Sequence, residues 1–162
     1  MSTFMKWVMN PPVDNTKSIV ILRIMAGGVF LWEGILKFVF PNQGVGRFTK
    51  LGFPIPDITA DAVATFEILG GLMLILGLLT RLNALLFIME MIVAILSTKI
   101  SLYLGTSPLP LPPAPPKTGL GAVLHEIRSD YAQLFVCLFL LIEGAGLVSL
   151  DHFFAKGRKS YS

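Results

Sequence analysis

The chain has 162 residues, a formal net charge of +3 and only 14% charged residues, against roughly 25% in an average soluble domain. With 54% hydrophobic residues and a mean hydropathy of +0.73, this balance excludes an ordinary soluble core and points to one all-α, membrane-embedded domain over residues 1–162. The basic residues fringe the apolar runs and do not interleave with aromatics, which argues against a nucleic-acid partner. Cys137 is the only cysteine, so an internal disulfide, a CxxC redox pair and a cysteine-ligated metal are excluded.

The first apolar run, Ser18 to Phe40, stops at Pro41-Asn42. It is too long for a signal-peptide core and has no small-x-small cleavage site, so it reads as a retained span. In the loop over residues 42–60, Val45, Phe48, Leu51 and Phe53 suit a short interfacial helix with Arg47 and Lys50 towards water. Thr59 and Asp61 are helix-start signals for a second span from about Asp61 to Thr80. Only Thr80-Arg81-Leu82-Asn83 separates it from a third span, Leu82 to Ser101, which predicts a tight antiparallel hairpin.

A second long loop carries a proline-rich segment, residues 108–116, which predicts an extended polyproline II spacer. After it, Leu120, Val123, Leu124, Ile127 and Tyr131 repeat at helical spacing and form a second short interfacial helix leading into a fourth span, Tyr131 to Leu150. Each span has about 20–23 residues, or about 30–35 Å of helix, enough for a hydrocarbon core. The expected fold is an integral-membrane four-helix bundle with both termini on one side. Lys6 and Lys17, with the basic tail at Lys156, Arg158 and Lys159, favour cytoplasmic ends in an inner (cytoplasmic) membrane.

Seven ionisable residues sit in or beside these spans: Arg23, Glu33, Lys37, Glu67, Arg81, Glu90 and Glu143. Lipid offers them neither water nor counter-ions, so they should face the bundle interior and mark a ligand-binding or proton-relay site. At about 100° per residue, Lys37 lies about 40° and Glu33 about 80° from Arg23, on a stripe shared with Gly27 and Gly34. Glu33 and Lys37 are spaced for an i,i+4 ion pair. Depth along each span predicts two layers: Lys37 with Glu33 and Glu67, and Arg23 with Glu90 and Glu143. Each holds a surplus acid, which in low dielectric keeps its proton and can donate to a quinone carbonyl. The bland alternative is that the charges only hold four helices in register.

Metal chemistry is not expected. A di-iron bundle needs Glu-x-x-His on two helices, whereas the glutamates here are followed at the third position by Leu36, Gly70, Val93 and Gly146. His125 and His152 flank the fourth span, roughly 40 Å apart as helix, too far to share a haem iron. No covalently attached cofactor is called for, and Cys137 reads as a small apolar residue.

These pieces together resemble the DoxX/DoxD family of small four-span membrane proteins. The segments are Leu22-Arg23-Ile24-Met25-Ala26-Gly27-Gly28, Glu33-Gly34-Ile35-Leu36-Lys37, Leu51-Gly52-Phe53-Pro54-Ile55-Pro56, Glu67-Ile68-Leu69-Gly70-Gly71-Leu72 and Leu76-Gly77-Leu78-Leu79-Thr80-Arg81. A C-terminal piece runs from Gly144-Ala145-Gly146 to Ser149-Leu150-Asp151. The resemblance implies a link to quinone-coupled oxidoreductases, such as a thiosulfate:quinone oxidoreductase subunit. It places Arg23, Lys37, Glu67 and Arg81 on motif positions, while Glu33, Glu90, Glu143 and the proline-rich insert are particular to this chain. The resulting expectation is a membrane subunit of a quinone-linked oxidoreductase system, with lipid and other membrane or redox subunits as partners. The alternative is a non-catalytic accessory or scaffold subunit of a larger respiratory or photosynthetic complex.

Overall fold

Long apolar runs without internal proline become the three longest helices, and each is long and apolar enough to cross a membrane. In the computed structural model, which describes residues 16–159, these are α1 (Ile19–Val39), α3 (Pro56–Leu76) and α4 (Thr80–Leu104). The short helix α2 (Val45–Lys50) lies in the first long loop, as its apolar spacing predicts, and it turns Phe48 into the protein against Phe53. After the proline-rich loop come α5 (Gly119–Glu126), α6 (Arg128–Glu143) and α7 (Leu150–Lys159). Lys6 lies outside the described residues, as do the side chains of Arg158 and Lys159.

Three boundaries depart from expectation. Helix α3 begins at Pro56, where a missing N–H costs nothing in the first turn, and ends at Gly77 in the left-handed conformation. It therefore sits four to five residues earlier than the sequence reading placed it. The connecting turn is Gly77-Leu78-Leu79, and Thr80–Asn83 is instead the first turn of α4. Helix α6, in the stretch expected to form the fourth span, stops at Glu143 after 16 residues, because Gly144 and Gly146 both adopt positive φ. The chain to Ser149 is irregular, so the apolar stretch expected to run on to Leu150 is split.

The proline-rich loop also differs from an extended spacer. It is bent, and Pro112 is buried, with Leu109 and Pro110 beside it lining a cavity under the first loop. The apolar repeat of α5 exists, but Leu120, Leu124 and Tyr131 face outward while Ala122 is the residue buried.

Helix α1 packs along α3, and α4 along α6. The α1–α3 crossing is a backbone contact: a Cβ on Gly27 would stand 2.5 Å from the Gly71 carbonyl oxygen, and one on Gly34 would stand 2.7 Å from that of Ala64. Small residues at such spacing let membrane helices approach closely. At mid-bundle, Phe30 stacks on Phe87 with ring centroids 3.7 Å apart, and Phe66 leans on Phe87 at 4.7 Å. Ala26, Leu74, Ala84, Cys137 and Leu140 complete this core. Outward faces remain apolar, as at Trp32, Leu69, Leu96 and Phe135, which suits acyl chains as the surroundings.

One end of the bundle gathers both described chain ends. Leu147 N–H donates to Thr16 O at 3.4 Å, and Asp151 N–H donates to Gly77 O at 2.9 Å. The opposite end holds α2, the proline-rich loop and α5. The first and last described segments therefore lie at the same end of the bundle.

Candidate functional site

Ionisable residues settle into two groups separated by the Phe30–Phe87 stack, though not the two layers expected from depth. At the chain-end side, Arg23 is 1% exposed. Its Nη1 donates to Ala145 O at 2.9 Å and its Nη2 to Val148 O at 2.5 Å. The break after Glu143 supplies these acceptors: a helix that ends early leaves carbonyls unpaired, and a guanidinium satisfies them where water is scarce. Arg81 Nη2 donates to Ile142 O at 2.7 Å, with the Glu143 charge nearby. Asp151 lies within electrostatic reach of Arg23. Its carboxylate also accepts from Leu79 N at 2.8 Å and Thr80 N at 3.0 Å. An acid 70-odd positions along the chain thus caps α4, satisfying amide groups that a helix start leaves open. Arg23, Arg81, Glu143 and Asp151 form a latch that closes this end.

The expected pairing of Arg23 with Glu90 does not occur. Because α3 starts at Pro56 and α4 runs to Leu104, Glu67 and Glu90 both fall near mid-helix, where their carboxyls interact directly. Lys37 Nζ bridges the Glu67 carboxylate, 2.8 Å from Oε1 and 2.6 Å from Oε2, with only 14% and 4% of the two side chains exposed. Lys37 therefore pairs across helices with Glu67, and not with Glu33 along α1. Glu33 is exposed, one position off the buried stripe of Arg23, Ala26, Phe30 and Gly34.

This second group opens into a cavity of about 350 Å³. Its lining from α1 spans residues 29–37, from α3 residues 59–67, and from α4 residues 90–99, so it occupies the half of the bundle near the long loops. Phe30, Met91 and Val93 supply apolar wall, while Glu33, Lys37, Glu67 and Glu90 are the four expected site residues that it brings together. Arg23, Arg81 and Glu143 lie outside it. Two buried acceptors on this lining, Glu90 Oε2 and Gln133 Oε1, have no hydrogen-bond partner among the described residues. Towards the long loops, Lys99 Nζ reaches Asp130 Oδ2 at 3.6 Å, joining α4 to α6.

Gln133, Asp130 and Glu126 are members the sequence reading missed. A signal was present for two of them: 130, 133, 137 and 140 step by three and four along α6, which puts Asp130 and Gln133 on the stripe of the buried Cys137 and Leu140.

A helical protein with membrane-length apolar spans, glycine-mediated helix contacts and an ion pair held inside is a polytopic membrane protein. The DoxX family model matches residues 18–100, and the chain belongs to the DoxX family. It is 36% identical over 149 residues to an uncharacterized membrane protein of Mycobacterium tuberculosis, covering 88% of this chain and 85% of that one. It is also 27% identical over 141 residues to a Bacillus subtilis protein named "Putative oxidoreductase CatD", covering 87% of this chain and 90% of that one. No solved structure matches the chain.

Proposed function

We propose that this protein is a membrane subunit of a quinone-linked oxidoreductase system and that the inner cavity receives the quinone head group. The observation that carries the reading is the Lys37–Glu67–Glu90 cluster in a cavity whose exposed surface is mainly apolar, with Glu90 Oε2 and Gln133 Oε1 left without hydrogen bonds among the described residues. Two carboxyls and one ammonium in low dielectric favour one negative and one protonated carboxyl. Such a set offers hydrogen-bond donors to a quinone carbonyl and acceptors to a quinol hydroxyl. The cavity's apolar stretches, from Val29 and Phe30 to Met91 and Val93, suit a ring and prenyl tail, and a cavity of this size is usual for small ligands. Kinship with a protein named as an oxidoreductase supports the class of chemistry.

Reduction of a quinone to its quinol takes two electrons and two protons. A partner subunit supplies the electrons in this reading. Lys37 holds Glu67 in place, and the protonated carboxyl of the Glu67–Glu90 pair gives one proton to the quinone oxygen nearest it. The second proton reaches the other oxygen from water at the cavity mouth, and Gln133 orients the ring by accepting from a quinol hydroxyl through Oε1. The chain ends face the cytoplasm of a bacterial cell, so the cavity opens to the outer face.

The test is binding of a short-chain quinone to the full chain in lipid nanodiscs. Wild-type protein should bind it saturably at one site, and Gln133→Leu and Glu90→Gln should each weaken binding by about tenfold, the equivalent of one good hydrogen bond. Unsaturable partitioning that is equal in all three proteins would refute the reading. Fixed-stoichiometry co-purification with redox subunits and no quinone site would favour the accessory role.

A further inference from the structure

A second cavity, about 290 Å³, lies between the two long loops and is more polar than the inner one. Three cationic side chains line it: Arg47 and Lys50 from α2, and Lys99 from α4. Glu126 is the one acid on this lining. Lys99 has its own counter-ion in Asp130, and Arg47 feels that same carboxylate at longer range. Among the described residues neither Arg47 nor Lys50 has an ion pair. Neutral donors complete the ring: the amides of Asn42 and Gln43, and the Ser107 hydroxyl, which accepts from Leu109 N–H and so keeps its own hydrogen to give.

The cavity is walled and not merely a charged surface. The proline-rich loop runs beside it, with Pro112 buried and Leu109 and Pro110 on its lining. Converging like charges in a partly enclosed space repel one another, and nothing in the packing requires three of them there. An oxyanion removes that repulsion and uses the donors.

We infer that this outer cavity is a phosphate-class anion site, with Arg47 and Lys50 as the main anchors and Lys99 as a third cation shared with Asp130. The anion is carried either on a lipid head group or free in solution, since the site lies at the long-loop end where lipid heads and water meet. The outer and inner cavities share Gln43, Arg47, Thr98, Lys99 and Glu126 in their linings. A bound anion would therefore sit against residues that the two cavities share. The inference holds whether or not the inner cavity takes a quinone, and its test uses none.

The experiment uses the full chain in phosphatidylcholine nanodiscs and reads thermal unfolding against inorganic phosphate, with sodium chloride at matched ionic strength. A second series replaces part of the phosphatidylcholine by phosphatidylglycerol. Wild-type protein should be stabilised saturably by one of the two probes. Arg47→Gln with Lys50→Gln should raise the half-saturating concentration at least tenfold, with the unliganded melting temperature unchanged. A response to phosphate alone identifies a free anion, and a response to phosphatidylglycerol alone identifies a lipid head; either supports the site. No saturable response to either probe would overturn it, as would an equal response in the double variant or in sodium chloride. Should the double variant fold poorly, Lys50→Gln alone, at an exposed position, serves the same comparison.

Discussion

Replacing Lys37 by methionine removes the ammonium from the Glu67 carboxylate while keeping most of the side-chain volume. Glu67 is 3% exposed, and its other charged neighbours, Glu90 and Glu33, are acids. The orphaned carboxyl avoids a bare charge in low dielectric by taking up a proton. For a group that ordinarily ionises near pH 4.3, this costs about 3–4 kcal/mol at pH 7. That figure agrees with the roughly 3–5 kcal/mol measured when one partner of a buried pair is truncated. Proton uptake also couples the loss to pH. The loss is smallest in acid, where the carboxyl is protonated with or without Lys37, and it grows as pH rises. Adding Glu67→Leu should recover most of the loss, since replacing both members of a buried pair by apolar residues is close to neutral. Thermal unfolding in detergent micelles across pH 5–8 measures all three proteins. A Lys37→Met penalty that is small or independent of pH would refute the claim that this pair is desolvated inside the bundle.

Three further expectations follow from other parts of the fold. Gly27→Ala should destabilise by about 1–3 kcal/mol, because its Cβ would press on the Gly71 carbonyl. Gly28→Ala, with nothing within 4 Å, should be neutral or slightly stabilising; both are read by thermal unfolding. Asp151→Ala should cost about 0.5–2 kcal/mol by uncapping α4, with Asp151→Asn in between. In the proposed orientation, cysteine at the exposed Ser129 should react with a membrane-impermeant maleimide in right-side-out vesicles and not in sealed inverted ones.

The helical class, the first span and the small-residue contacts were legible because lipid imposes them: apolar length makes a span, and glycine permits contact between helix backbones. Depth was less so. Assigning each charge a height depends on where its helix begins, and the four- to five-residue slip of α3 was enough to separate Glu67 from Glu90 on paper. The partners of Arg23 could not be read at all. They are backbone carbonyls in the segment after Gly144, and main-chain acceptors leave no trace in residue identity. Asp151 was legible only as part of a terminal motif, because a cap reaching from another helix has no local spacing to betray it. The proline-rich loop was misjudged for a related reason: composition gives its preferred backbone but not what it packs on.

Photolabelling tests the central claim most directly. The full chain in nanodiscs is irradiated with an azido-quinone, and the adducts are mapped by peptide mass spectrometry. Adducts should fall on the inner-cavity stretches of α1, α3, α4 and α6, should be competed by unlabelled quinone, and should be lost in Glu67→Gln. Adducts spread over outward residues such as Trp32, Leu69 and Leu96, without competition and unchanged in the variant, would contradict a quinone site within the helices.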